Sequence, residues 1–373
     1  LMMTTSSPGA EGMFDPSKGK ATSLAPKLAA PQHRPRPLTL FLELVREQTD
    51  GDPERLVRVL AGLRAYQEAP RIAAQHIAPA IAQEWGATLR DYGGSGPPLL
   101  FIPSLINPPN VLDLTAERSL LRWLAGRGWR VLLLDWGWDV EARRHLSVAG
   151  HVESVVLPFI ERIGTPPFLV GYCLGGTMAI AAAALAKANA VATIAAPWRF
   201  SGFPADARRT LAALWEQAEP SVQTMGLLPM EVLQSAFWSL DPARTVRKFE
   251  RFAELPPGSA EAQAFVVLED WANDGPPISE AAAREMFESL FRDDLPGSGC
   301  WRVGGRSIDP ADLPCPLLNI VSTSDRIVPS AASVAGGERL ELGQGHVGMV
   351  VGGSARDALW EPLAAWLSRV HSN

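Results

Sequence analysis

From Ala87 onward the chain is punctuated by short runs of consecutive apolar residues. PPLLFIPSL (97–105), RVLLLDWG (130–137), PFLVGYC (167–173), AVATIAAP (190–197) and, much later, CPLLNIVS (315–322) are too short for buried helices. Their branched side chains mark them as strands, and ERLELG (338–343) reads as another. Between them, ERSLLRWLAGRG (117–128), 147–163 and 177–187 carry helical spacing, with Pro158 interrupting the second. Residues 357–370 form a closing amphipathic helix. Unbroken apolar strands separated by helices imply a mainly parallel, doubly wound sheet covered on both faces, an α/β fold.

The pattern changes in two places. Residues 1–37 are rich in Pro, Ser, Gly and Ala and predict a disordered tail. Residues 38–86 predict an N-terminal helical segment, in which Asp52–Pro53 starts a helix that buries Leu56, Val57, Leu60 and Leu63 on one face. After Pro197 the strand–helix alternation stops for about a hundred residues, where LDPARTVRKFERFAEL and EAAAREMFESLFRDD look helical. The expected organisation is thus a core in two parts, 87–198 and 300–373, split by a helical cap insertion at 199–299.

Composition narrows the function. Of 373 residues 47% are hydrophobic, and the net charge is −6 with both signs interspersed, so a nucleic-acid partner is not expected. Three cysteines without a CxxC pair and six histidines without ligand spacing imply neither a disulfide framework nor a metal site; a reducing compartment fits. The first twenty residues lack the apolar core of a signal peptide. The longest apolar stretch, 177–196, is broken by Lys187 and Asn189, so no transmembrane segment and a cytoplasmic location are expected.

GYCLG (171–175) has the form of a nucleophile elbow, G-x-S-x-G, with cysteine for serine. Cys173 there is either a nucleophile on a strained strand-to-helix turn or an inert thiol in a glycine-rich crossover. On this fold an acid and then a histidine should follow the nucleophile along the chain. Asp325 follows the strand at 315–322 and His346 follows the strand at 338–343, both at carboxyl ends of strands. That order favours the nucleophile. The N–H of Leu174 is the expected first oxyanion donor. The second should come from the loop after the first core strand, from Asn107 or Ile106, since Pro108 and Pro109 have no N–H; Asn107 is preferred. Trp136, Trp138, Trp198, Trp238 and Trp271 are acyl-channel or core residues.

These segments resemble polyhydroxyalkanoate synthases, members of the α/β-hydrolase superfamily that polymerise 3-hydroxyacyl-CoA. The resemblance covers about residues 98–367: GYCLGGT, INPPNVLDL, RSLLRWL, LLLDWG (as in the short class III enzymes), EDWANDG, the stretch GCWRVGG to SDRIVP, and GHVG. It implies an α/β-hydrolase fold with a helical cap. It makes Cys173 the acyl carrier and His346 the general base, with Asp325 orienting that histidine or helping to activate the hydroxyl. Asp113, Trp271 and Asp274 fall on family positions with structural roles. It further implies acyl-CoA as substrate with no cofactor, a growing polyester, a homodimer or a partner subunit, and a place on the polyester granule surface. Arg326 departs from the family, which has histidine after the aspartate, and Trp138–Asp139 replace Tyr-Pro. The competing readings are a cysteine hydrolase (a thioesterase, a depolymerase or a dienelactone hydrolase-like enzyme) and a non-catalytic granule-associated relative.

Overall fold

The computed structural model describes residues 34–71 and 76–372. Eight strands form one sheet: β1 (Ala80–Glu84), β2 (Ala87–Asp91), β3 (Pro98–Ile102), β4 (Arg130–Asp135), β5 (Phe168–Tyr172), β6 (Ala190–Ile194), β7 (Leu317–Ser322) and β8 (Glu338–Leu342). Their order is β1-β2-β4-β3-β5-β6-β7-β8. β2 runs antiparallel to both neighbours, and every pair from β4 to β8 is parallel.

The strand composition explains the layering. Successive residues point to opposite faces, and here both faces are covered. Leu100, Ile102, Leu132 and Leu134 pack with Val152, Phe159 and Met178 on one side. Leu99, Phe101, Val131 and Leu133 pack with Leu121, Trp360, Leu363 and Leu367 on the other. Inside the sheet, Thr193 donates to Asn319 Oδ1 (3.1 Å) and Asn319 donates to Val334 O (2.9 Å), which pins β6 and β7 in register.

The helical run 148–163 continues through Pro158 because its middle widens to a π-type turn at Val152–Val156, where a missing N–H is tolerated. The helix expected from Thr177 begins earlier, at Leu174, directly off β5.

The N-terminal region departs further from expectation. Residues 1–33 of the predicted tail lie outside the described residues, but Arg34 to Pro37 are docked. Arg34 pairs with Asp270 (3.4 Å), and Arg36 with Asp274 (3.4 Å) and the carbonyl of Asn273 (3.2 Å). The segment 38–86 is not all helical: after helices Leu38–Gln48 and Pro53–Glu68 come β1 and a two-residue hairpin turn, Trp85–Gly86, with positive φ at both (49° and 75°). Asp52 caps the second helix, accepting from Arg55 N at 2.9 Å. The buried face of that helix is Val59, Gly62, Leu63 and Tyr66, whereas Val57 is 66% exposed. The cause is close packing on helix Pro242–Ala253: a β-carbon on Gly62 would lie 1.8 Å from the carbonyl oxygen of Phe249. A glycine, neutral to a hydrophobicity scan, is the contact point.

Between β6 and β7 the chain forms helices Ala205–Met225, Met230–Leu240, Pro242–Ala253 and Ala260–Ala272, then a helical run over 280–292. The first, 21 residues long, escaped the sequence reading because Pro220 lies inside it and only Trp215 and Val222 are buried.

Candidate active site

Parallel strands bring their carboxyl ends to one edge, and three loops there carry the expected chemistry. β3 and β5 are adjacent but lead to opposite halves of the sheet, so a crevice opens between the loops that follow them. Cys173 sits in that crevice with φ 55° and ψ −132°, a conformation that costs a non-glycine residue free energy of order 1–3 kcal/mol. The turn holds because the helix beginning at Leu174 lies almost against the sheet. A β-carbon on Gly175 would sit 2.0 Å from Ile102 O, and one on Gly171 2.3 Å from Gly176 Cα. Cys173 N–H donates to Ile194 O (2.9 Å), anchoring the turn to β6. The N–H of Leu174, the first helical residue, has no carbonyl four residues back, and the positive end of the helix lies beside the thiol.

Asp325 and His346 meet. His346 Nδ1 lies 2.7 Å from Asp325 Oδ2. The other carboxylate oxygen accepts from the backbone N–H of Ile327 (2.8 Å) and Val328 (3.0 Å), so the carboxylate is fixed from both ends. The Asp325 side chain is fully buried, and 8% of His346 is exposed. Burial alone pulls the His346 imidazole down, but the neighbouring Cys173 sulfur and the Asp325 carboxylate outweigh it and raise the group to about 10. Tyr172 donates to His346 O (3.3 Å), and its ring lies 5.2 Å from the imidazole.

These groups open into a cavity of about 190 Å³. Its core side comprises Cys173, Tyr172, His346, Ser104 and the loop from Ile106 to Pro108. Its far wall belongs to the insertion: Gln234, Phe237, Trp238, Thr245, Lys248 and Trp271. Asn107 lies in this cavity, but its side chain donates to Asp274 O (3.2 Å), and Ile106 N–H donates to Ser104 Oγ (3.2 Å). Trp271 Nε1 donates to Pro108 O (2.8 Å), tying the same loop to the insertion. Asp113 forms a bidentate ion pair with Arg122 (2.8 and 2.9 Å) behind the loop, away from Cys173. Arg326 points outward and pairs with Asp241, which also caps helix Pro242–Ala253 through Arg244 N (3.1 Å). Of the other cysteines, Cys300 is exposed and burial raises the Cys315 thiol to about 11.

The model of the alpha/beta hydrolase family matches residues 99–360. The chain belongs to that family. Among curated relatives, this α/β hydrolase is 28% identical over 303 residues to the poly(3-hydroxyalkanoate) polymerase subunit PhaC of Haloarcula marismortui, covering 77% of this chain and 64% of that protein. It is likewise 28% identical over 290 residues to the PhaC of Allochromatium vinosum, covering 73% and 80%. The match thus spans less than two-thirds of the Haloarcula protein. Among solved structures, it resembles the monoacylglycerol lipase of Paleococcus ferrophilus at 18% identity and a TM-score of 0.47, over 76% of this chain and 99% of that one.

A larger cavity in this α/β hydrolase, about 1170 Å³, is lined by Arg71, Arg90, Asp135 and Asp270 and contains neither Cys173 nor His346. Asn107, Pro108 and Trp271 line both cavities and stand between them. Of the five tryptophans singled out, Trp238 and Trp271 line the cavity at Cys173, Trp136 and Trp138 the larger one, and Trp198 packs on Trp301 (5.9 Å). The sequence reading missed Gln234, Thr245, Lys248 and Tyr172. Only Tyr172, beside the elbow, carried a local signal. Among the described residues there is no cluster of His, Cys, Asp or Glu able to hold a metal, and no helix long and apolar enough to cross a membrane.

Proposed function

We propose that this chain is an acyltransferase that polymerises 3-hydroxyacyl-CoA through a thioester on Cys173. The reading is carried by one juxtaposition: a cysteine at a strained elbow beside an Asp325–His346 pair, in a chain whose curated relatives are poly(3-hydroxyalkanoate) polymerase subunits. His346 takes the Cys173 proton, and Sγ attacks the thioester carbon of acyl-CoA. The oxyanion is met by Leu174 N–H and by the backbone N–H of Asn107, whose side chain is already engaged. The carbon–sulfur bond to CoA breaks, and the CoA sulfur leaves with the proton held by His346. In the second half-reaction His346 takes the proton of the next unit's hydroxyl. That oxygen forms the ester, the Cys173 thioester breaks, and the proton returns to sulfur. Asp325 keeps the imidazole oriented throughout.

The insertion wall limits water at the thioester, which otherwise hydrolyses. No cofactor enters either step. The relatives' designation as subunits supports action with a second subunit. A polyester growing on Cys173 would keep the protein at the polymer surface.

The test is incubation with 3-hydroxybutyryl-CoA, following CoA and acyl products. Free CoA with insoluble polyester is expected. Free CoA with 3-hydroxybutyrate alone would make the chain a hydrolase, and no CoA from any acyl-CoA would exclude acyl transfer. Cys173→Ala should release no CoA and keep the wild-type circular dichroism; retained turnover would remove Cys173 from the reaction.

A further inference from the structure

The far wall of the reaction cavity carries a charged pair that the proposed chemistry does not use. Lys248 Nζ lies 2.7 and 2.8 Å from the two carboxylate oxygens of Glu269. Glu269 is buried, and its Oε2 also meets Asn273 Nδ2 (3.4 Å). Lys248 lines the same cavity as Cys173 and His346. On the same wall Thr245 Oγ1 donates to Asp241 O (2.9 Å) and Trp271 Nε1 to Pro108 O (2.8 Å), and across the cavity Asn107 gives one of its two amide N–H groups to Asp274 O (3.2 Å). An ammonium has three N–H groups and Glu269 accepts two, which leaves one without a carboxylate partner, with the Phe249 ring centroid 5.4 Å from Nζ.

The rest of the lining selects what that donor meets. Ile106, Val111, Phe237, Trp238, Ile327 and Val347 offer apolar surface. The Lys248–Glu269 pair is neutral as a unit, so a ligand carboxylate would add an uncompensated charge to a small, mostly apolar space, which is strongly unfavourable. A neutral acceptor on an otherwise apolar chain adds none. Resting on the acyl-transfer reading, we infer that Lys248 is a specificity-determining residue that donates a hydrogen bond to a neutral oxygen substituent of the acyl group carried on Cys173. That oxygen is a hydroxyl on the first unit and an ester oxygen once the chain has grown. A site built around a polar partner rejects the analogue that lacks it, because the buried donor is then left unpaired.

The experiment measures, in a single turnover with enzyme in excess, the rate constant of CoA release on acylation of Cys173 by 3-hydroxybutyryl-CoA and by butyryl-CoA, because butyryl-CoA has no hydroxyl to carry the second half-reaction. Wild type is expected to prefer the hydroxylated substrate by about tenfold or more. Lys248→Met/Glu269→Gln, which removes both charges together, should bring the ratio to about two or less; Lys248→Arg, which keeps N–H donors, should retain most of it. A wild-type ratio near one overturns the inference without recourse to any variant. So does an unchanged ratio in the double variant, or an equal fall in Glu269→Gln alone, which leaves Lys248 in place. Absence of CoA release from either substrate in wild type overturns the acyl-transfer reading and this inference with it, whereas release from both at equal rates overturns only this inference.

Discussion

Asp325→Asn tests how the acid works. The two carboxylate oxygens have different partners: Oδ1 accepts two backbone N–H bonds, from Ile327 and Val328, and Oδ2 faces His346 Nδ1. An asparagine can satisfy the backbone pair only with its oxygen, so its NH₂ must face the imidazole. The histidine then accepts at Nδ1 and carries its proton on Nε2, where it can no longer take one from Cys173. The fold should survive, since the shape and all three hydrogen-bonded pairings persist, the one to His346 with its direction reversed. Transition-state stabilisation should fall by about 4–5 kcal/mol, a 10³–10⁴-fold loss of kcat/KM for CoA release. The pH profile should also move. In the free enzyme His346 is raised to about 10, first by the Cys173 sulfur and then by this carboxylate. The imidazolium that the proposed reaction needs as its acid is therefore held into alkaline solution in the free wild-type enzyme and is lost as pH rises through that value. Removing the carboxylate lowers the midpoint, so the alkaline limb of the profile should shift to lower pH. Single-turnover CoA release from pH 6 to 11 measures both effects. A loss below tenfold with an unmoved alkaline limb would refute the reasoning.

Gly175→Ala places a β-carbon 2.0 Å from a strand carbonyl that cannot swing away, so destabilisation of about 3 kcal/mol or more is expected in urea denaturation, and a value under 1 would contradict the packing at the elbow. Arg326→Ala should change stability by no more than about 1 kcal/mol, because the Arg326 side chain is 64% exposed in its pair with Asp241 and salt screens such pairs. A melting temperature many degrees lower would give that contact a larger part than its exposure allows.

The positions of Cys173, Asp325 and His346 at the carboxyl ends of strands were legible because each depends on local sequence placed after a strand. The long apolar strands were legible for the same reason: burial on both faces leaves unbroken apolar runs. β1 was hidden because an edge strand with exposed alternate positions carries little apolar signal. The far wall of the cavity was hidden for a different reason. Lys248 and Glu269 are 21 residues apart on separate helices, and either alone reads as a solvated surface charge. Only the fold turns both inward. Arg326 raised a question because the resembling family has histidine there, and the structure directs its side chain away from the reaction centre, to Asp241 on the insertion.

Trp238 belongs to two assemblies at once. It lines the cavity at Cys173, and it also packs edge-on against Phe41 (5.2 Å), within the aromatic cluster that joins Phe41 and Tyr66 to Phe249. The two N-terminal helices therefore act as a buttress for the roof of the reaction chamber rather than for the sheet that holds the thiol. Any rocking of that roof must carry the buttress along or break the ring contacts between them, so these two helices are coupled to the cavity while lying outside the chemistry altogether.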